Sequence, residues 1–100
     1  MKVYKFGGAS VKDASGVRNV ERIVRMAIND PMVHGLMVVV SAMGKTTNAL
    51  ERVVDYLAEG HEDKALAQWV DVFDYHVAIM RELGNKGIEG AITAIRMANM

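Results

Sequence analysis

Lys5, Gly7, Gly8 and Ser10 stand within six residues of one another, directly after the short apolar run Val3-Tyr4. A cation followed by backbone without side chains is suited to an anion. Glycines remove Cβ atoms, so successive amides can converge on a phosphate. A second group, Ser41-Ala42-Met43-Gly44-Lys45-Thr46-Thr47-Asn48, follows the apolar run Leu36–Val40 and leads into a helical pattern. Free amides at a helix N-terminus also favour anions. Two such turns in one chain point to phosphate binding and phosphoryl transfer.

Each turn has a plainer reading. The first could be a tight turn beside a surface lysine, and a lone Gly-Gly is a weak signal. In the second, Ser41, Thr46 or Thr47 could simply cap a helix, although three hydroxyls and one amide in eight residues exceed what capping needs. Gly44-Lys45-Thr46 is not a P-loop, because that motif needs a glycine at position 39, which is Val39.

The elements that must position these turns follow from periodicity. Val3–Phe6 reads as a short strand bounded by glycine. Val17, Val20, Ile23, Val24, Ala27 and Ile28 fall at helical spacing, with Asp13 or Ser15 as cap and Asp30-Pro31 as the stop. Leu36–Val40 is apolar without alternation, the pattern of a strand covered on both faces. Leu50, Val53, Val54, Leu57 and Ala58 predict an amphipathic helix ending at Gly60, for which Asn48 with Glu51 offers a capping pair. A longer helix carries Leu66, Trp69, Val70, Phe73, Val77, Met80 and Leu83 on one face and closes at Gly84-Asn85-Lys86-Gly87. Ile88, Ala91, Ile92 and Ile95 suit a last helix. The order is a βαβ unit followed by helices, an α/β class with a mainly parallel sheet. Two parallel strands of this buried type do not make a stable sheet alone. If both strands lie in one sheet, both turns open on the same edge, outside the carboxyl ends of the strands.

Composition narrows the field further. Among 100 residues, 51% are apolar and 12 basic residues balance 12 acidic ones, so no charge excess points to nucleic acid or an acidic membrane. The chain has no cysteine, which excludes disulfides and thiolate chemistry. No segment reaches membrane-span length and none resembles a signal peptide, so the expected setting is the cytoplasm. His34, His61 and His76 lack ligand spacing, and no metal site is expected. The stretch around Trp69, Phe73 and Met80 is expected to be core or a subunit-facing surface, not a cofactor box.

Lys5-Phe6-Gly7-Gly8-Ala9-Ser10-Val11 resembles the opening signature of the amino acid kinase family, with alanine where threonine is usual. Val38 through Asn48 is similar to the second signature of the aspartate kinases within that family. Both stand in the family's order and at its approximate spacing. The resemblance implies the N-terminal part of a three-layer αβα kinase domain over residues 1–100, with both signatures in a βαβα core over 1–58 and a helical segment over 59–100.

The implied activity is transfer of the ATP γ-phosphoryl group to the β-carboxylate of L-aspartate, giving 4-phospho-L-aspartate, the first step of lysine, threonine and methionine biosynthesis. Lys5 would neutralise charge on the transferring group. Lys5, Phe6, Gly7, Gly8 and Ser41 would hold ATP, whose phosphates carry Mg2+; Ser41, Thr47 and Asn48 would hold the acceptor. A carboxylate is already a nucleophile, so no general base is required. The resemblance also implies a homo-oligomer and further groups beyond Met100: acceptor-gripping acidic and arginine residues, an aspartate ordering the lysines, a base pocket and regulatory domains. The 100-residue chain alone is therefore expected not to turn over. Two alternatives stand beside this: the kinase half of a protein fused to homoserine dehydrogenase, and a non-catalytic helical interaction module that keeps the βαβ unit as scaffold.

Overall fold

β1 (Lys2–Phe6) and β2 (Leu36–Val40) pair in parallel, with Lys2 opposite Leu36 and Phe6 opposite Val40. The computed structural model describes residues 1–84, 90, 92–94 and 96. They fall into two compact units, Met1–Asn48 and Ala49–Met100. The fold is α/β with a parallel strand pair and a crossover helix, as the periodicity predicts.

In the first unit, β1 runs through Gly7 into a short 3-10 helix, Gly8–Val11, and then into α1, Ala14–Ile28. Of the two caps the sequence offers, Asp13 is used: its Oδ1 accepts from the Gly16 amide at 2.7 Å. Ala14 and Ala27 are buried, and Val17, Val20, Ile23 and Val24 are half-buried, as the helical spacing predicts. Ile28 is exposed. The helix stops at Asn29, and Asp30-Pro31 turns the chain. The Asp30 side chain accepts from the Met32 amide at 2.9 Å and its carbonyl accepts from Val33 at 3.0 Å.

β2 departs from expectation. Its apolar run predicts cover on both faces, yet Val38 is 38% exposed and Val40 51%. The sheet has two strands among the described residues, and that leaves an open edge on each strand and incomplete cover above and below.

α2 (Thr46–Ala58) starts within the first unit and continues into the second. The Asn48–Glu51 capping pair does not form, because Asn48 is already inside the helix. Thr46 opens it instead, donating from its hydroxyl to the Met43 carbonyl at 2.6 Å. Gly60, at φ +80°, closes it with bonds from the Gly60 amide to Leu57 (3.1 Å) and from His61 to Tyr56 (2.8 Å), a Schellman ending.

In the second unit, α3 spans Glu62–Leu83 and ends at Gly84, whose φ is +68°. Arg52 donates to Gln68 Oε1 at 3.2 Å, tying α2 to α3. The predicted faces are covered in part, and small or apolar residues beside them are buried as well. Ala49 is buried and Val53 and Tyr56 half-buried, whereas Val54 and Leu57 are exposed. On α3 most of the predicted face is covered, with Val77 buried and Trp69, Met80 and Leu83 half-buried, while Ala65, Val72 and Ile79 are buried beside it and His76 is half-buried. Leu66, at 61% exposure, and Val70 face outward. Phe73 is half-buried with the Arg96 guanidinium 5.3 Å above its ring. Of the expected last helix, Ile92 is buried; Ile88, Ala91 and Ile95, like the expected ending at Asn85–Gly87, lie outside the described residues. No helix among the described residues is long and apolar enough to cross a membrane.

Candidate functional site: two turns at the carboxyl ends of the strands

Strand alternation divides β1 into two faces. Tyr4 and Phe6 share one, their rings edge to face at 6.3 Å, and Phe6 is buried. The Phe6 ring is thus a core group, and only its backbone borders the turn. Lys5 lies on the opposite face, opposite Val39 in register, and is exposed. It makes no ion pair with a described residue.

After Phe6 the chain stays extended at Gly7 (φ −78°, ψ 175°) and tightens into the 3-10 helix, where the Ser10 amide donates to the Gly7 carbonyl at 3.0 Å. The amides of Gly7, Gly8 and Ala9 donate to no described residue. Three consecutive donors are therefore available at the end of the strand that carries Lys5.

The second turn begins where the Ser41 amide extends the ladder, donating to the Phe6 carbonyl at 3.0 Å. The Ser41 hydroxyl donates to the Ala42 carbonyl at 3.1 Å. Gly44 takes φ +57°, and the Met43 carbonyl then accepts from both the amide and the hydroxyl of Thr46. Thr46 is thereby committed to the turn. Thr47 and Asn48 are exposed, and neither their amides nor their side chains bond a described residue. They remain available to a ligand.

The two turns touch. The Gly44 amide donates to the Gly8 carbonyl at 3.0 Å. An ideal Cβ at Gly8 would stand 2.5 Å from the Gly44 oxygen and 3.1 Å from that of Ala42, so a side chain has no room there. At Gly7 the same construction meets nothing within 4 Å. The structure therefore brings Lys5, Gly7, Gly8 and Ser41 to one sheet end, with Thr47 and Asn48 starting the helix that follows. Gly44, which the sequence places in the second turn without a role of its own, is the residue that joins it to the first.

The electrostatics of the two segments agree with this geometry. Residues 5–12 and 41–48 hold Lys5, Lys12 and Lys45 and no Asp or Glu, while Lys2 lies at the other end of β1. Such a locally cationic, amide-rich sheet end favours anions. Elsewhere, His34 is exposed, His61 lies 3.8 Å from Glu59, and His76 Nδ1 is 2.8 Å from its own helix's Val72 carbonyl. Among the described residues, no three His, Asp or Glu side chains gather as a metal site would require.

No curated protein and no solved structure matches the chain. The model of the amino acid kinase family, however, matches residues 1–96, which include both turns and every residue of the candidate site. On that match the chain belongs to the amino acid kinase family, whose members are phosphotransferases.

Proposed function

We propose that the chain carries the nucleotide-side and acceptor-side turns of an aspartate kinase. The observation that supports this most directly is the docking of the two turns at one sheet end, with the Gly44 amide on the Gly8 carbonyl at 3.0 Å. It puts a free cation and a run of unbonded amides beside a hydroxyl-bearing helix start. The choice of aspartate within the family rests on the likeness of Val38–Asn48 to the aspartate branch.

The chemistry asked of these residues is modest. An oxygen of the β-carboxylate attacks the γ-phosphorus of ATP, the bond from that phosphorus to the β–γ bridging oxygen breaks, and ADP leaves with the bonding pair. The carboxylate arrives ionised, so no proton has to be removed. What remains is orientation and neutralisation of charge. Lys5 meets the transferring group, and the amides of Gly7 and Gly8 receive phosphate oxygens. Ser41 lies between phosphate and amino acid, and Thr47 and Asn48 bind the acceptor. The unbonded amides and the open space over Gly7 fit a nucleotide phosphate. Mg2+ would be held by those phosphates and would supply further neutralisation. Ala9 lacks the hydroxyl that threonine offers the phosphates, a modest loss where backbone amides do most of the binding.

The test, on the full-length protein, is transfer from ATP to L-aspartate, L-glutamate and N-acetyl-L-glutamate in parallel, with hydroxylamine trapping each acyl phosphate. Hydroxamate from aspartate at least about tenfold above the other acceptors is expected, a discrimination that two or three hydrogen bonds supply. Equal or greater transfer to another acceptor would reassign the substrate.

A further inference from the structure

We propose that Gly8 and Gly44 form a backbone clasp that sets the separation of the two turns, which makes Gly8 a positioning residue for transfer between them. The proposal rests on the phosphotransferase reading above and adds the device that holds donor and acceptor sides together.

The argument is geometric. β1 and β2 alone cannot fix the turns. The ladder reaches as far as Ser41, whose amide bonds Phe6, and beyond it each chain is free to diverge. The next link between them is Gly44 to Gly8. It needs three things at once. Gly44 must take φ +57°, a left-handed conformation that side chains disfavour, so that the chain can turn into α2 while its amide stays bonded to the first turn. Gly8 must offer its carbonyl, which it does at 3.0 Å. Finally, Gly8 must lack a side chain, because the Gly44 and Ala42 oxygens fill the space at 2.5 and 3.1 Å from an ideal Cβ. Gly7, one residue earlier, meets none of these demands, since its φ is −78° and nothing lies within 4 Å of its Cβ position.

The two glycines therefore do different work. Gly7 keeps the first turn open toward a ligand, and Gly8 lets the second turn come within bonding distance. A methyl at position 8 leaves the residue-8 amide in place, so it does not remove a phosphate donor. What it does is push the Gly44 carbonyl out by at least half an ångström, which moves Ser41 and the start of α2 relative to Lys5. Displacements of about 1 Å cost on the order of 100-fold in rate when transfer depends on alignment.

Two measurements on the intact protein test the clasp: amide hydrogen exchange at Gly44 by NMR, and steady-state transfer to the amino acid acceptor. In the wild type, Gly44 should exchange on the order of 100-fold more slowly than an unprotected amide. In Gly8→Ala that protection should be lost, with kcat down about 100-fold and KM for ATP within about threefold of wild type. Gly7→Ala should keep Gly44 protected. An unprotected Gly44 in the wild type overturns the clasp, and this holds even if Gly8→Ala fails to fold. So does a folded Gly8→Ala that retains either Gly44 protection or wild-type kcat. An inactive wild type with a protected Gly44 sinks the reading of the reaction and leaves the clasp supported. An active one with an unprotected Gly44 does the reverse.

Discussion

Gly16→Ala reverses the usual sign of a glycine replacement inside a helix. Alanine there ordinarily stabilises by about 1 kcal/mol through helix propensity. Gly16, however, is the third residue of α1, pressed against the strand-turn that carries the candidate site. An ideal Cβ would stand 2.5 Å from the Ser10 carbonyl oxygen and 3.2 Å from Asp13 Oδ1. Both neighbours resist displacement. Ser10 is held in the 3-10 helix by its bond to Gly7, and Asp13 Oδ1 is the cap, 2.7 Å from the Gly16 amide. Relieving the clash moves α1 away from the 3-10 helix and opens the cap. Overpacking of this kind costs about 2 kcal/mol, and loss of an Asp cap costs about 1 kcal/mol. Against the propensity gain, the net is a destabilisation of about 2 kcal/mol. Urea unfolding followed by far-UV circular dichroism should show the midpoint falling by roughly 1 M, for a denaturant slope of about 2 kcal/mol/M. Asp13→Ala separates the two terms: alone it should cost about 1 kcal/mol, and in the Gly16→Ala background clearly less, because the cap is already broken. A midpoint that stays or rises in Gly16→Ala refutes the steric argument and leaves propensity in charge.

Three further outcomes follow from the same geometry. Lys5→Met should lower kcat/KM by about 100-fold or more through lost charge neutralisation, with an unchanged unfolding midpoint because Lys5 is exposed and unpaired with any described acid. A midpoint shift as large as the kinetic loss would make it a structural residue instead. Thr47→Val should raise KM for the amino acid about tenfold while KM for ATP holds, since only the hydroxyl is removed. Equal changes in both constants would move Thr47 to the nucleotide side. Gly60→Ala should destabilise by about 1 kcal/mol, because φ +80° penalises any Cβ while the space around it is empty. Chemical denaturation reads this directly, and a neutral result would mean that the α2 ending relaxes out of its Schellman geometry.

The residues that the sequence reveals best are those whose environment is local. Asp13 caps α1 because its partner is three residues away, and Asp30-Pro31 ends the same region through bonds spanning two and three residues. Gly60 and Gly84 stop helices for the same local reason. The pairing of β1 with β2 was legible from one step further out, because two apolar runs joined by a helix favour a parallel pair. What the sequence could not show is set by neighbours distant along the chain. On α3, Val77, Trp69, Phe73, Met80 and Leu83 are covered as their spacing predicts. Leu66 and Val70 are apolar, correctly spaced and exposed, while Ala65, Val72 and Ile79 beside them are buried, a choice that depends on what packs against the helix. On α2, Val53 is half-buried as predicted, but Ala49 is buried where Leu50 is exposed. The site divides in the same way. Lys5, Gly7 and Thr47 declare themselves by type, since a cation, a bare amide and a hydroxyl each have few other uses in a turn. Gly44 does not, because its meaning depends on Gly8, 36 positions earlier. A glycine read alone says only that the backbone is free there. Two glycines whose backbones meet at 3.0 Å say what that freedom is for.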